Sequence, residues 1–156
     1  VDIRYNEKFI LQPDYNNPVI FNFRLDNNVA ILKLFPGIQE SVVRSILSVP
    51  NLKGVVLETY GSGNAPTDQW FTDALQEAMD KGIVIVNVTQ CLYGNVEMHR
   101  YETGQHLEKL GVVSGHDITT EAALGKLMIL QGNGKTPDEL RRLMSISLRG
   151  ELTARS

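Results

Sequence analysis

Cysteine is nearly absent from this sequence of 156 residues, which contains only Cys91 and so no pair for an internal disulfide. A domain of this length buries roughly two-thirds of its unfolded surface and folds without such a bridge. Nothing else in the sequence points to an oxidising compartment, so we expect a cytoplasmic location. The sequence also lacks an apolar run that approaches the ~20 residues of a membrane-spanning helix. We therefore expect no association with a membrane.

An excess of charge of one sign is missing too. The 15 basic and 18 acidic residues are interspersed, and the formal net charge is -3. Without a basic cluster or basic residues alternating with aromatic ones, the chain has no electrostatic footprint for nucleic acid. Small molecules or other protein chains are the better candidates for partners.

Metal-binding spacings are likewise absent. The three histidines, His99, His106 and His116, include no pair four residues apart, and no Cys-x-x-Cys occurs. No metal site is predicted. Cys91 could act as a nucleophile beside His99 or His116, but a lone cysteine after a buried strand is more often a packing residue.

From residue 29 onward, strand-like patterns alternate with helical ones. Parallel strands require crossover connections, which are usually helical. The alternation therefore predicts an α/β domain of three layers, with a small, roughly four-stranded parallel sheet flanked by helices. Residues 1–28 show no such alternation and are interpreted as an extended N-terminal arm or hairpin. The predicted strands cover residues 29–34, 54–59, 83–88 and 111–114.

Several helix ends have local signals. Thr67 is expected to cap the helix after the second strand, and Gly82 to end it. A helix is predicted over residues 95–110 although Gly104 interrupts it. Thr136 begins a capping box, with proline in the first helical position, and this predicts the start of the last helix.

The segment YGSGNAP, residues 60–66, leaves the second predicted strand at its carboxyl end, where ligands bind in folds of this kind. It lacks both the P-loop lysine and the dinucleotide fingerprint. Its glycines permit positive φ, and the amide of Asn64 can donate and accept hydrogen bonds. Taken alone, Tyr101 is most simply a half-buried aromatic residue on an amphipathic helix. The residues by themselves indicate a polar cleft without a complete catalytic set.

Four segments in this order resemble a known family: YGSGNAP at residues 60–66, VTQC at 88–91, YETG at 101–104 and DITTEAA at 117–123. Together they are similar to the C-terminal domain of the cytosolic, type I L-asparaginases, over residues 29–151. The resemblance implies a larger enzyme of two domains that hydrolyses L-asparagine to L-aspartate and ammonia without a cofactor. Its N-terminal domain carries the nucleophilic threonine in a Thr-Gly-Gly-Thr motif.

This chain contains no Thr-Gly-Gly-Thr motif. If the resemblance holds, residues 1–28 are an arm or linker from a missing N-terminal catalytic domain, and residues 29–156 are the C-terminal domain. No catalytic residue is then expected in this chain, and the isolated chain is expected to be inactive, because a hydroxyl without an activating base is a weak nucleophile.

The resemblance also implies roles for particular residues. Asn64 and Tyr101, with Ser62 and Gly63 of the same loop, would bind the non-reacting end of L-asparagine. They would do so in the active site of a neighbouring subunit, within a dimer or tetramer. Such binding would orient the scissile amide.

Bacterial members of the family can carry a second, regulatory asparagine site around the matching cysteine, here Cys91. An arginine six residues before the loop asparagine would meet the effector carboxylate in that site. This chain has Glu58 at that position, and an acidic residue repels a carboxylate. We therefore expect the regulatory site to be lost.

Two other functions stay open. The chain could be a regulatory module that senses an amino acid in the same cleft. It could also belong to an asparaginase-like subunit of a tRNA-dependent amidotransferase, which would require further domains and a surface that binds tRNA. The absence of a basic patch weakens this last hypothesis.

Overall fold

The computed structural model describes residues 10, 16, 18–98 and 102–153. Its centre is one parallel sheet with the strand order β1-β2-β3-β4. The sheet confirms the four predicted strands and their parallel arrangement, with small shifts at the ends of three of them. The strands are β1 (Val29–Lys33), β2 (Gly54–Thr59), β3 (Val84–Thr89) and β4 (Val113–Ser114).

Among the described residues, five helices cover the two faces of this sheet: α1 (Glu40–Leu47), α2 (Gln69–Asp80), α3 (Glu102–Leu110), α4 (Thr120–Gly132) and α5 (Pro137–Met144). The helices between the strands, α1 to α3, contribute to one hydrophobic cluster. The last two, α4 and α5, contribute to another on the opposite face. The predicted three-layer α/β architecture is therefore confirmed.

Strands β2 and β3 are apolar on both faces because helices cover both. Val55 and Leu57 of β2 pack in the cluster with α1 to α3, whereas Val56 packs in the cluster with α4 and α5. The same alternation runs along β3, where Ile85 and Val86 belong to different clusters. These two strands form the buried centre of the domain.

Two of the helix-end predictions are confirmed. Thr136 accepts a hydrogen bond from the Glu139 amide, and the Glu139 carboxylate accepts one from the Thr136 amide at 2.9 Å, which completes the capping box of α5. Gly82 follows the last residues of α2 with a φ of +87°, the left-handed conformation that ends many helices.

Two other predictions are wrong. The N-cap of α2 is Asp68 rather than Thr67, and no side-chain hydrogen bond caps this helix. Residues 95–98 are not helical, because the amides of Val96 and Glu97 donate to the carbonyls of His116 and Ser62 in other loops. The helix in this region, α3, begins at Glu102 and includes Gly104.

Residues 18–28, which precede β1, contain no helix or strand. Near their end, the Asp26 amide donates to the Met128 carbonyl of α4 at 3.0 Å, and the Asp26 carboxylate pairs with Lys53 at 2.6 Å. These contacts fix the direction in which the chain enters the sheet. Within the described part of the chain, no helix combines the length and apolarity needed to cross a membrane.

Candidate functional site

The carboxyl ends of the first three strands lie side by side, because parallel strands end at the same edge of a sheet. Lys33 at the end of β1 is in register with Glu58 of β2, and Thr59 is in register with Thr89 at the end of β3. The segment predicted to bind ligand leaves β2 at this edge. The edge therefore brings together polar residues from separate parts of the sequence.

Residues 60–64, which we call the strand-end loop, form a closed turn. The Tyr60 amide donates to the Asn64 carbonyl at 2.9 Å, and the Asn64 amide donates back to the Tyr60 carbonyl at 2.8 Å. The Gly63 amide donates to the same Tyr60 carbonyl at 3.0 Å. Asn64 thus stands at the closing end of the turn, in a position set by backbone hydrogen bonds.

Gly63 is required by the shape of this loop. Its φ is +106°, a conformation that residues with a Cβ rarely adopt. A Cβ at this position would lie 2.9 Å from Cγ1 of Val96 and 3.2 Å from Nδ2 of Asn87. The backbone can approach its neighbours this closely only because residue 63 has no side chain.

Three neighbouring groups hold the loop from outside. The Asn87 side-chain amide donates to the Gly63 carbonyl at 3.3 Å, and the Thr89 hydroxyl donates to the Gly61 carbonyl. The Glu97 backbone amide donates to the Ser62 carbonyl at 2.9 Å. The loop is therefore attached both to the end of β3 and to the segment that follows it.

Three of the predicted substrate-binding residues belong to this loop. Asn64 and Ser62 are half-buried and Gly63 is buried. Tyr101, the fourth, lies outside the described residues, as does His99. The structure thus places three of the four at the carboxyl edge of the sheet, and their contact with a substrate stays a prediction.

The two residues at the positions of the family's regulatory site, Cys91 and Glu58, line a common cavity of about 230 Å³ at the same edge. Cys91 is exposed there. Glu58 is buried, with its carboxylate 3.1 Å from Nζ of Lys33 and 2.6 Å from the Thr120 hydroxyl. The Lys33 ammonium partly offsets the negative charge that we expected to repel an effector carboxylate, so the loss of that site stays a prediction.

Lys33 and Thr120 were missed as members of this cavity when the sequence was considered alone. One signal was available, since Glu58 is the only charged residue of a strand that is otherwise almost wholly apolar. A buried carboxylate requires a partner. The sequence could indicate the need for a cation, but choosing Lys33 required the register between β1 and β2.

Asp117, from the DITTEAA segment, also lines this cavity. Burial raises the pKa of its carboxyl, but hydrogen bonds from the side chain and the backbone amide of Thr153 outweigh burial and lower the pKa below its usual range. The Thr153 amide lies 2.8 Å from the carboxylate. Asp117 therefore ties Thr153 to the strand-end edge.

A larger cavity of about 500 Å³ lies elsewhere, between α4 and residues 148–151. Its lining is mainly apolar and includes Ala122, Ile129 and Leu148. Two of its charged residues, Lys126 and Glu151, pair with each other at 2.6 Å, so the strand-end edge, where polar groups from several strands meet, is the better candidate site. Among the described residues, no three histidine, cysteine or acidic side chains are grouped so that they could hold a metal ion.

Comparison with known proteins agrees with the fold and with the segments that form this edge. Residues 28–144 match the family model of the glutaminase/asparaginase C-terminal domain. L-asparaginase 1 of Escherichia coli K12 is 46% identical over 125 residues, which are 80% of this chain and 37% of that protein. The human 60 kDa lysophospholipase is 40% identical over 153 residues, which are 97% of this chain and 26% of that protein.

A solved structure and a further relative add to this picture. L-asparaginase I of Vibrio cholerae superimposes with a TM-score of 0.78 at 38% identity, covering 83% of this chain and 39% of that one. A component of the Pyrococcus horikoshii glutamyl-tRNA(Gln) amidotransferase is 33% identical over 147 residues, 92% of this chain and 33% of that protein.

The chain spans about a quarter to two-fifths of the length of these proteins. Its match to the family model covers most of the described fold, including the strand-end loop. The chain belongs to the glutaminase/asparaginase C-terminal domain family, and it is similar to the C-terminal domain of type I L-asparaginases.

Proposed function

We propose that the protein containing this domain hydrolyses L-asparagine to L-aspartate and ammonia, and that the strand-end loop contributes groups that bind the substrate. The observation that carries the proposal is the position of Asn64. It closes a turn held by backbone hydrogen bonds at the carboxyl edge of a parallel sheet, where α/β folds bind ligands. The similarity to L-asparaginase 1 of Escherichia coli supports the choice of substrate.

In this reaction water adds to the side-chain amide of asparagine, the C–N bond breaks, and ammonia leaves. A nucleophile and a base must act on the amide, and we assign both to a catalytic domain that precedes residue 29. The domain described here would bind the α-amino or α-carboxylate end through Asn64, Ser62, the Gly63 backbone and Tyr101. Binding that end orients the amide without taking part in bond cleavage.

We further propose that this loop completes the active site of a neighbouring subunit in a dimer or tetramer. A loop that presents a substrate-binding side chain without a nucleophile needs a second protein surface opposite it. The isolated domain is then inactive in either arrangement, and the location is expected to be cytoplasmic. The regulatory cavity at Cys91 and Glu58 is not required for this activity.

The experiment compares full-length protein carrying Asn64→Ala with the wild type in an ammonia-release assay. Loss of a hydrogen bond to a charged end of the substrate costs about 1.5–3 kcal/mol, so we expect kcat/KM to fall roughly ten- to hundredfold. Asn27→Ala is the matched control, because Asn27 is exposed at the opposite edge of the sheet, just before β1. Unchanged kinetics for Asn64→Ala, or full activity of the isolated domain, would refute the proposal.

A second candidate function is supported by one observation, the similarity to the glutamyl-tRNA(Gln) amidotransferase of Pyrococcus horikoshii. In this case the released ammonia would be passed to a tRNA-bound amino acid. The full-length protein would then bind tRNA in a gel-shift assay and would release little free ammonia without it. Vigorous turnover of free L-asparagine without tRNA favours the first function.

A further inference from the structure

We propose that Asn87 and Thr89, two side chains of β3, are positioning residues that hold the strand-end loop, and with it Asn64, in the conformation that binds substrate. The inference rests on the proposed function for what Asn64 contacts. The identification of the groups that hold the loop does not depend on that function. Neither residue needs to touch the substrate to act in this way.

The spacing of the two donor side chains equals the spacing of the two carbonyls to which they donate. Asn87 and Thr89 are two residues apart in β3, so their side chains emerge on the same face. The accepting carbonyls, those of Gly61 and Gly63, are also two residues apart. One strand face thus supplies two consecutive attachments along the loop, and each lies next to the closing turn at Asn64.

Asn87 is an unusual residue for its location. Its side chain is completely buried, and the residues before and after it in β3 are valines. An unsatisfied amide in such a place costs about 1–3 kcal/mol. The Thr59 hydroxyl, also fully buried, lies 2.6 Å from Oδ1 of Asn87. The amide nitrogen is then the donor that faces the Gly63 carbonyl, which can only accept.

All five carbonyls of the strand-end loop accept hydrogen bonds from the protein. Three of them, those of Tyr60, Ser62 and Asn64, are bonded to backbone amides. The other two, those of Gly61 and Gly63, are bonded to side chains. These two attachments can therefore be removed by substitution while the backbone pairs of the turn remain; a change at Thr89 also removes the acceptor for the Cys91 amide, which lies 3.0 Å from the hydroxyl.

The test uses the full-length protein with Thr89→Val, which removes the donor to Gly61, and Asn87→Asp, which keeps the acceptor for Thr59 and removes the donor to Gly63. Thr89→Ser retains the hydroxyl and serves as the rescue variant. Thr72→Val is the matched control, because the buried Thr72 hydroxyl donates to the Gln69 carbonyl within α2, at 2.8 Å. Two quantities are measured: steady-state kinetics with L-asparagine, and hydrogen exchange of the backbone amides in residues 60–66.

We expect kcat/KM to fall roughly tenfold or more in Thr89→Val and Asn87→Asp, because small displacements of a substrate-positioning group are costly. Exchange in residues 60–66 should be several-fold faster in both variants. Thr89→Ser should return both quantities to within about twofold of the wild type, since its hydroxyl can make the same bond. Thr72→Val should lower the melting temperature without changing either quantity.

Unchanged exchange in residues 60–66 would overturn the inference, whatever the substrate. Faster exchange with unchanged kcat/KM would overturn the link between loop position and substrate binding. If the wild-type protein has no asparaginase activity, the proposed function fails, while the exchange data still decide whether β3 holds the loop. If Asn87→Asp does not fold, Thr89→Val decides the question, because Thr89 is only half-buried.

Discussion

Gly63 and Asn87 differ in how much of their structural role can be predicted from the sequence. The glycines of YGSGNAP predicted positive φ, and Gly61 and Gly63 adopt φ of +50° and +106°. Asn87 was visible only as the polar exception in an apolar strand. Its partners, Thr59 and Gly63, are 28 and 24 residues away in the sequence. The residue type alone indicates a local conformational preference, whereas the hydrogen-bond partner of a residue depends on the tertiary fold.

At this scale we predict that Gly63→Ala is more destabilising than Gly111→Ala. Both positions have φ near +100°, so both substitutions incur a backbone cost of about 1–2 kcal/mol. A Cβ at Gly111 meets no atom within 4 Å, but one at Gly63 meets Val96 and Asn87. The added contacts should bring the loss at Gly63 to roughly 2–4 kcal/mol. Urea unfolding of both variants measures the difference, and equal losses would contradict this account.

At the scale of elements, helix ends were predictable where the cap is local. The starts of α4 and α5 follow threonine caps that bond to amides three residues on. The start of α3 was not predictable, because the amides of Val96 and Glu97 donate to carbonyls in other loops instead of to carbonyls of a helix. The final segment is also held by tertiary contacts, since buried Lys126 of α4 pairs with Glu151 at 2.6 Å.

This pair leads to a prediction on pH. Burial raises the pKa of the Glu151 carboxyl, but the bond from Lys126 and the backbone amides of Leu148 and Arg149 outweigh it and lower the pKa to about 2 from an ordinary value of 4.5. A lowered pKa in the folded state stabilises the protein above pH ~4.5, and this stabilisation is lost as the pH falls towards 2. Its size is about 1–3 kcal/mol.

Glu151→Gln should therefore lower the free energy of unfolding at pH 7 by about that amount, and the variant should lose less stability than the wild type between pH 4.5 and 2. Denaturant titrations at a series of pH values measure both effects. Glu121→Gln, which changes an exposed carboxylate in the first turn of α4, is the control and should change stability by a few tenths of a kcal/mol. Parallel pH profiles for the wild type and Glu151→Gln would show that the pair has no such role.

For the whole molecule, the main point is that the proposed substrate-binding groups and the nucleophile belong to different parts of the protein. The domain presents the loop that we propose to bind substrate, but the chain contains no Thr-Gly-Gly-Thr motif, and it spans only 37% of L-asparaginase 1 of Escherichia coli. The proposal that the loop completes a neighbour's active site concerns the assembled protein. It requires a test at that scale, because no change within a single protomer separates the two arrangements.

Mixing two impaired full-length variants provides that test. One carries Asn64→Ala and the other lacks the nucleophilic threonine that we assign to a preceding catalytic domain. If the loop acts on its neighbour, each mixed dimer contains one intact site, so random exchange of subunits should restore about a quarter of the wild-type activity. Mixing must follow reversible dissociation, and unmixed variants are the control. Activity no higher than the average of the two variants would show that the loop serves its own protomer.

Alternating apolar patterns and short cap motifs were sufficient for the four strands, most of the helices and the three-layer class, because those preferences act over a few residues. The motifs of the family were sufficient for placing Asn64, Ser62 and Gly63 in one loop. Only the tertiary structure joined that loop to Asn87 and Thr89, and Glu58 to Lys33 and Thr120. These contacts link residues up to 62 positions apart, and they exist only after parallel pairing has set the register of the strands.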